Sequence, residues 1–171
     1  MISKKIKLLI LPIIVGIVLV ISVSFIQSEK KIASANVKSL DGKIFNTGTI
    51  SNKRKPIIIC VWETNCKPCI HQLDNISEVY EQWQKETGVK LIAISIDDSR
   101  TIANVSKTVK SKGWEYAVYT DVNQDFKRAM SIDFCPYTYL VDGNGSIIWE
   151  KGSYSEGDED KLYELLKKTA N

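Results

Sequence analysis

From Leu8 to Ile26 the chain carries an uncharged, mostly apolar run, with Lys4, Lys5 and Lys7 before it and Glu29, Lys30 and Lys31 after it. Its length is close to the ~20 residues that cross a bilayer's hydrocarbon layer and exceeds the ~7–15 of a secretory h-region. The pattern predicts an N-terminal membrane anchor over 1–27, with the lysine-rich flank inside and the remainder extracytoplasmic. A cleaved export signal, leaving a secreted or periplasmic product, is the alternative, because Ala33-Ser34-Ala35 has the small-x-small character of a cleavage site. Residues 28–36 are polar and small and read as a tether; 37–171 read as the folded domain.

Past the tether the periodicity changes. Leu40 to Phe45 reads as two short strands about an Asp41-Gly42 turn, an N-terminal hairpin. After Pro56, the unbroken run Ile57 to Trp62 has the β-branched character of a central strand covered on both faces. Cys69, Leu73, Ile76, Tyr80 and Trp83 then recur at helical spacing, and Gly88 is placed to end that helix. Strands are predicted over 89–96 and 116–119 and helices over 101–110 and 123–130, an alternation that implies parallel pairing. Tyr137 to Val141 and Ser146 to Trp149 are joined by Asp142-Gly143-Asn144-Gly145, too short for anything but a hairpin. A last helix opens on Glu156, Asp158, Glu159 and Asp160 and ends on Lys167 and Lys168, a charge order that suits its dipole. The expected class is α/β, with a mixed central sheet and helices on both faces.

Composition narrows the function. At 171 residues there is room for one core, and 23 Lys+Arg against 20 Asp+Glu form no dense basic stripe, so nucleic acid is not an expected partner. The informative residues are cysteines. Cys66-Lys67-Pro68-Cys69 falls where the buried strand hands over to a helix. A thiol at a helix N-terminus is stabilised as thiolate by exposed backbone N–H groups and the positive dipole end, and thiolate is the attacking species in disulfide exchange. Cys66 is the expected nucleophile and Cys69, at the head of the apolar stripe, the shielded resolving thiol. Lys67 adds positive charge, and Pro68 suits a first helical turn. A static disulfide or half a zinc site would use the same spacing, but a zinc ribbon needs a second such pair, which the chain lacks. Cys135-Pro136 precedes the strand at 137–141, where a proline either starts a strand or turns cis beside a site.

Together these residues resemble the thioredoxin superfamily and, within it, the membrane-anchored TlpA/ResA-like thiol–disulfide oxidoreductases. The resemblance runs from about Val37 onward and is carried by Ile57 to Trp62 with Cys66-Lys67-Pro68-Cys69, by Cys135-Pro136-Tyr137-Thr138 at the family's cis-proline loop, and by Tyr139 to Gly145 leading into Ile147-Ile148. It implies a thioredoxin-like fold and a redox-active Cys66–Cys69 disulfide with no organic cofactor. It also implies substrate contacts at Pro136, Cys135 and Trp62. Electrons would pass to disulfides of exported proteins, apocytochromes among them, with a membrane thiol transporter as donor.

The chain departs from the family pattern at Asn65, where an aromatic is usual, at Cys60, where a buried polar residue is usual, and at Gln72, where an acid is usual. Glu63 is then the nearest carboxylate by sequence, and Lys67, Pro68, Glu63 and Cys60 are possible modulators. Glu63 also occupies the position where peroxiredoxins carry Thr or Ser, which argues against a peroxidase. Cys135 would bring a third thiol to Cys66 and Cys69. Soft thiolates select such ions as Cu(I), so a copper-binding or copper-delivering protein using Cys66, Cys69 and Cys135 is the alternative reading. His71, about 140° from Cys66 around the helix, is expected to face solvent.

Overall fold

A computed structural model describes residues 29–170. The expected anchor over 1–27 lies outside the described residues; within them, no helix is long and apolar enough to cross a membrane. The described chain folds as β1 (Asn36–Ser39), β2 (Ile44–Asn46), β3 (Ile57–Trp62), α1 (Lys67–Thr87), β4 (Lys90–Ser95), α2 (Ile102–Lys112), β5 (Ala117–Thr120), α3 (Asp125–Ala129), β6 (Tyr137–Val141), β7 (Ile147–Gly152) and α4 (Asp158–Ala170). A short 3-10 turn, Thr47–Thr49, follows β2.

Seven strands form one sheet in the order β2-β1-β5-β4-β3-β6-β7. β3, β4 and β5 pair in parallel, and β1, β2, β6 and β7 join antiparallel. β3 and β4 sit in the middle because their side chains are apolar on both faces. Ile58, Cys60 and Trp62 point into one core with Leu91 and Ala93; Ile57, Ile59 and Val61 point into the other with Ile92 and Ile94. That division is the two-residue period of a strand applied to a run with no polar position.

The two faces are covered unequally. α1, α2 and α4 lie over the first, packing Leu73, Ile76, Trp83, Val105, Val109, Leu162 and Leu166 against it. The second is covered by α3, through Phe126, and by the chain before β1. The stretch expected as a tether therefore differs from that expectation from its first described residues onward. Lys31 bridges to Ser146, the Lys30 carbonyl accepts from Ile147 N–H, Lys30 pairs with Glu150 at 2.7 Å, and Thr47 Oγ1 accepts from Ala35 N–H. Ala35 is buried, and Ile32 and Ala33 pack against the same core. Small residues suit a strap lying flat on a sheet as well as a linker, so composition alone does not separate the two.

The hairpin at Asp142 turns as the sequence predicts: Asp142 Oδ1 accepts from Asn144 and Ser146 N–H, each at 2.9 Å. Gly143 there lies so close to Arg54 that a Cβ would come within 2.1 Å of the Arg54 carbonyl oxygen. Gly143→Ala is expected to cost about 1–3 kcal/mol, the usual toll of overpacking. The measurement is urea unfolding, which should show a lower midpoint at unchanged slope; an unmoved midpoint would mean that the Arg54 loop yields freely.

Candidate active site

β3 ends at Trp62 and α1 begins at Lys67, leaving Glu63, Thr64, Asn65 and Cys66 to make the corner. Cys66 N–H donates to the Glu63 carbonyl at 3.1 Å, closing a turn. Thr64 is clamped from the end of β4. Its N–H donates to Asp97 Oδ2 at 3.0 Å and its hydroxyl to Oδ1 at 2.6 Å, while Ser95 Oγ donates to the same carboxylate at 2.8 Å. Asp97 is buried. A buried carboxylate is tolerated only when its oxygens are hydrogen-bonded, and here that requirement is met by bracing the corner. Sequence reading did not single out Asp97; the signal available was an acid directly after an apolar strand, ambiguous with an ordinary loop residue.

Cys66 is the N-cap of α1, in extended geometry, and its sulfur accepts from Cys69 N–H at 3.2 Å. It thus satisfies one of the helix's free donors, as a serine or aspartate would elsewhere. Pro68 falls in the first turn and Gly88 ends the helix in left-handed conformation. Cys66 and Cys69 form a disulfide with Cα atoms 5.2 Å apart. Cys66 is partly exposed and Cys69 is fully buried.

Across from this pair, the Cys135–Pro136 peptide bond is cis, and the Cys135 sulfur lies within 4.8 Å of both disulfide sulfurs. Burial, with Glu63 adding to it and Lys127 opposing, pushes the Cys135 thiol up to about 11. Burial also raises Glu63 above the usual carboxylate range, helped by Asp97 and Asp98 and opposed by Lys127. Beneath the pair, the buried Gln72 amide donates to Thr138 Oγ1 at 2.9 Å, and Thr138 approaches Cys60 Sγ at 3.9 Å, its partner across the β3–β6 register. Burial pushes the Cys60 thiol up to about 12. Gln72, Thr138 and Cys60 thus form an uncharged polar chain under the disulfide.

The remaining predicted residues fall as follows. Lys67 is exposed and, with Asn65, Ile70, His71 and Asp74, lines an open cleft of about 390 Å³ beside Cys66. His71 is exposed, edge-on to Tyr154, and is no part of the sulfur cluster. Pro136 is buried under the loop that presents Cys135. Trp62 departs from expectation as a substrate-contacting residue. It is 0% exposed, packed edge-on against Trp114, with its Nε1 unpartnered. Its side chain points into the first core because it continues the Ile58, Cys60 alternation. The exposed aromatic at the site is instead Phe134, 57% exposed, directly before Cys135.

The AhpC/TSA family model matches residues 29–150, most of the described chain. The chain belongs to the AhpC/TSA family. Thiol-disulfide oxidoreductase ResA of Bacillus thuringiensis subsp. konkukian is 32% identical over 117 residues, 68% of this chain and 64% of that protein, so the alignment spans just under two thirds of that relative. ResA of Bacillus anthracis is 28% identical over 142 residues, 83% of this chain and 78% of that protein. A solution structure of an uncharacterized thioredoxin-like protein from Porphyromonas gingivalis superposes with a TM-score of 0.73 at 42% identity, over 81% of this chain and 91% of that one. StoA of Bacillus subtilis, at 20% identity and a TM-score of 0.62, shares the fold. The fold is thioredoxin-like.

Two outcomes follow from this geometry. Asp97→Ala strips the Thr64 N–H and hydroxyl of their acceptor and is expected to destabilise the oxidised protein by about 2–3 kcal/mol in urea unfolding, given roughly 1–1.5 for each of the two bonds. With the pair oxidised, Cys60 is buried and Cys135 is the accessible free thiol. Since thiolate is the reactive form, Cys135 alkylation should be slow at pH 7 and keep rising roughly tenfold per pH unit past 9, towards about 11. A rate that levels off at pH 8–9 would show a thiol of ordinary acidity.

Proposed function

We propose that this protein is an extracytoplasmic thiol–disulfide oxidoreductase that reduces disulfides of exported proteins through Cys66 and Cys69. The observation that carries the reading is the disulfide at the N-terminus of α1, with one sulfur reachable from solvent and the other buried. In the reduced protein the Cys66 thiolate, favoured by the helix end, attacks one sulfur of a substrate disulfide. That S–S bond breaks, one substrate thiol leaves, and a Cys66–substrate disulfide forms. Cys69 then attacks Cys66 Sγ, forming the intramolecular disulfide and releasing the second substrate thiol. Two electrons have moved to the substrate, and a donor dithiol, supplied by a membrane thiol transporter, returns the pair to its reduced state. No organic cofactor takes part in these steps.

The ResA relatives carry the name of this activity, which supports the reading. The segment 1–27 would hold the protein to the membrane, the lysines before Leu8 favouring an extracytoplasmic domain. Pro136 and Cys135, with Phe134, form the lip against which an extended substrate segment would lie, and apocytochromes are one substrate class. Lys67, Pro68 and Glu63 shape the charge and entry geometry at Cys66, while Cys60 stays a protonated thiol beneath.

The test is the reduction potential of the full chain, freed of metal and equilibrated in thiol redox buffers. A potential near about −270 mV supports a reductase, and one near about −120 mV would reverse the direction of electron flow. Cys66→Ser is expected to abolish reduction of a disulfide-bonded protein such as insulin, and Cys69→Ser to halt the reaction at a mixed disulfide visible by non-reducing electrophoresis. A Cys66→Ser variant that still turns over would sink the proposal.

A further inference from the structure

The oxidoreductase reading gives the Cys135 backbone and position a place at the lip but leaves its thiol without a chemical role. Its sulfur nevertheless lies in a three-sulfur cluster whose members are all within 4.8 Å of one another. That span is close to twice a metal–thiolate bond of about 2.3 Å, so one ion could touch all three donors after modest movement. We infer that the reduced protein holds a single Cu(I) ion between Cys66, Cys69 and Cys135. The inference rests on the proposed reading in one respect: the pair must be able to cycle to its dithiol form.

Three features select the ion. The donors are all thiolates, the soft ligands that favour Cu(I) over hard cations. Among the described residues no histidine or carboxylate joins the cluster, whereas a closed zinc site takes four protein ligands. The buried polar residue one turn along α1 from Cys69, Gln72, is uncharged and hydrogen-bonded to Thr138. Negative charge gathered by three thiolates around a monovalent ion is met by the N-terminal end of α1, where Cys66 is the cap, and by Lys127 near Cys135.

Binding displaces thiol protons to solvent and transfers no electrons. Formation of the Cys66–Cys69 bond takes both sulfurs from the ion, so copper and the disulfide exclude each other. Loading would therefore arrest exchange at Cys66, and the ion must leave before a disulfide substrate can oxidise the pair.

The experiment uses the full chain, reduced and anaerobic, titrated with Cu(I) in competition with bicinchoninate. Wild type is expected to take one equivalent, the oxidised protein none, and Cys135→Ala to bind about a hundredfold more weakly, one of three bonds being lost. Cys60→Ala, which removes a thiol outside the cluster, should bind as wild type does, and alkylation with mass mapping should find the other three cysteines protected in the loaded protein. Equal affinity of Cys135→Ala and wild type, or no binding by wild type, overturns the site. Insulin reduction by the same metal-free wild-type preparation separates the two readings: copper binding without reduction removes the oxidoreductase function and leaves the ion site, and reduction without copper binding does the reverse.

Discussion

The position of β3 governs the rest. It is paired on both edges, to β4 and β6, and buried on both faces, so every direction in which its end could drift is blocked by packing. A helix starting after four intervening residues must then begin at one place, and its first N–H groups need acceptors. Cys66 answers that need with sulfur, and the Asp97–Thr64 clamp fixes the corner between strand and helix. The position of Cys66 is thus a by-product of solving a helix-end problem at the end of a strand buried on both faces and paired on both edges.

The polar groups around the sulfurs divide into two sets. Asp97 has its oxygens occupied by Thr64 and Ser95, and it serves the backbone. Gln72 and Thr138 face the underside of the pair without formal charge, in a layer completed by a thiol that burial keeps protonated. A site with a free carboxylate there would carry its own proton acceptor. The carboxylate by the pair is instead Glu63, whose raised affinity for a proton comes from partial burial and neighbouring acids.

Much of this was legible in the chain itself. The Ile57 to Trp62 run, the stripe from Cys69 to Trp83 and the Asp142 hairpin each have one period and one length, and each forms where that pattern puts it. The cysteine pair was readable because its meaning depends only on the local strand-to-helix junction. What escaped depends on distant partners. Asp97 acquires its role from Thr64, 33 residues away in sequence. Trp62 is a substrate contact by the family resemblance, yet strand alternation turns its side chain into the core. The stretch at 30–35 is polar and small enough for a linker, and only the groove beside Ser146 and Met130 makes it part of the domain.

That strap has a further consequence for mounting. Lys31 meets Ser146 just before β7, and Val141, at the other side of that turn, pairs with Ile57 at the start of β3. Cys66 follows the opposite end of β3, six residues along, or roughly 20 Å at strand rise. Glu29, hydrogen-bonded to Ser146, therefore lies at the rear of the sheet, and the Cys66–Cys69 disulfide sits at its front. The first described residues and the disulfide thus occupy opposite ends of β3, so a tether or fusion joined ahead of Glu29 would leave the sulfurs uncovered.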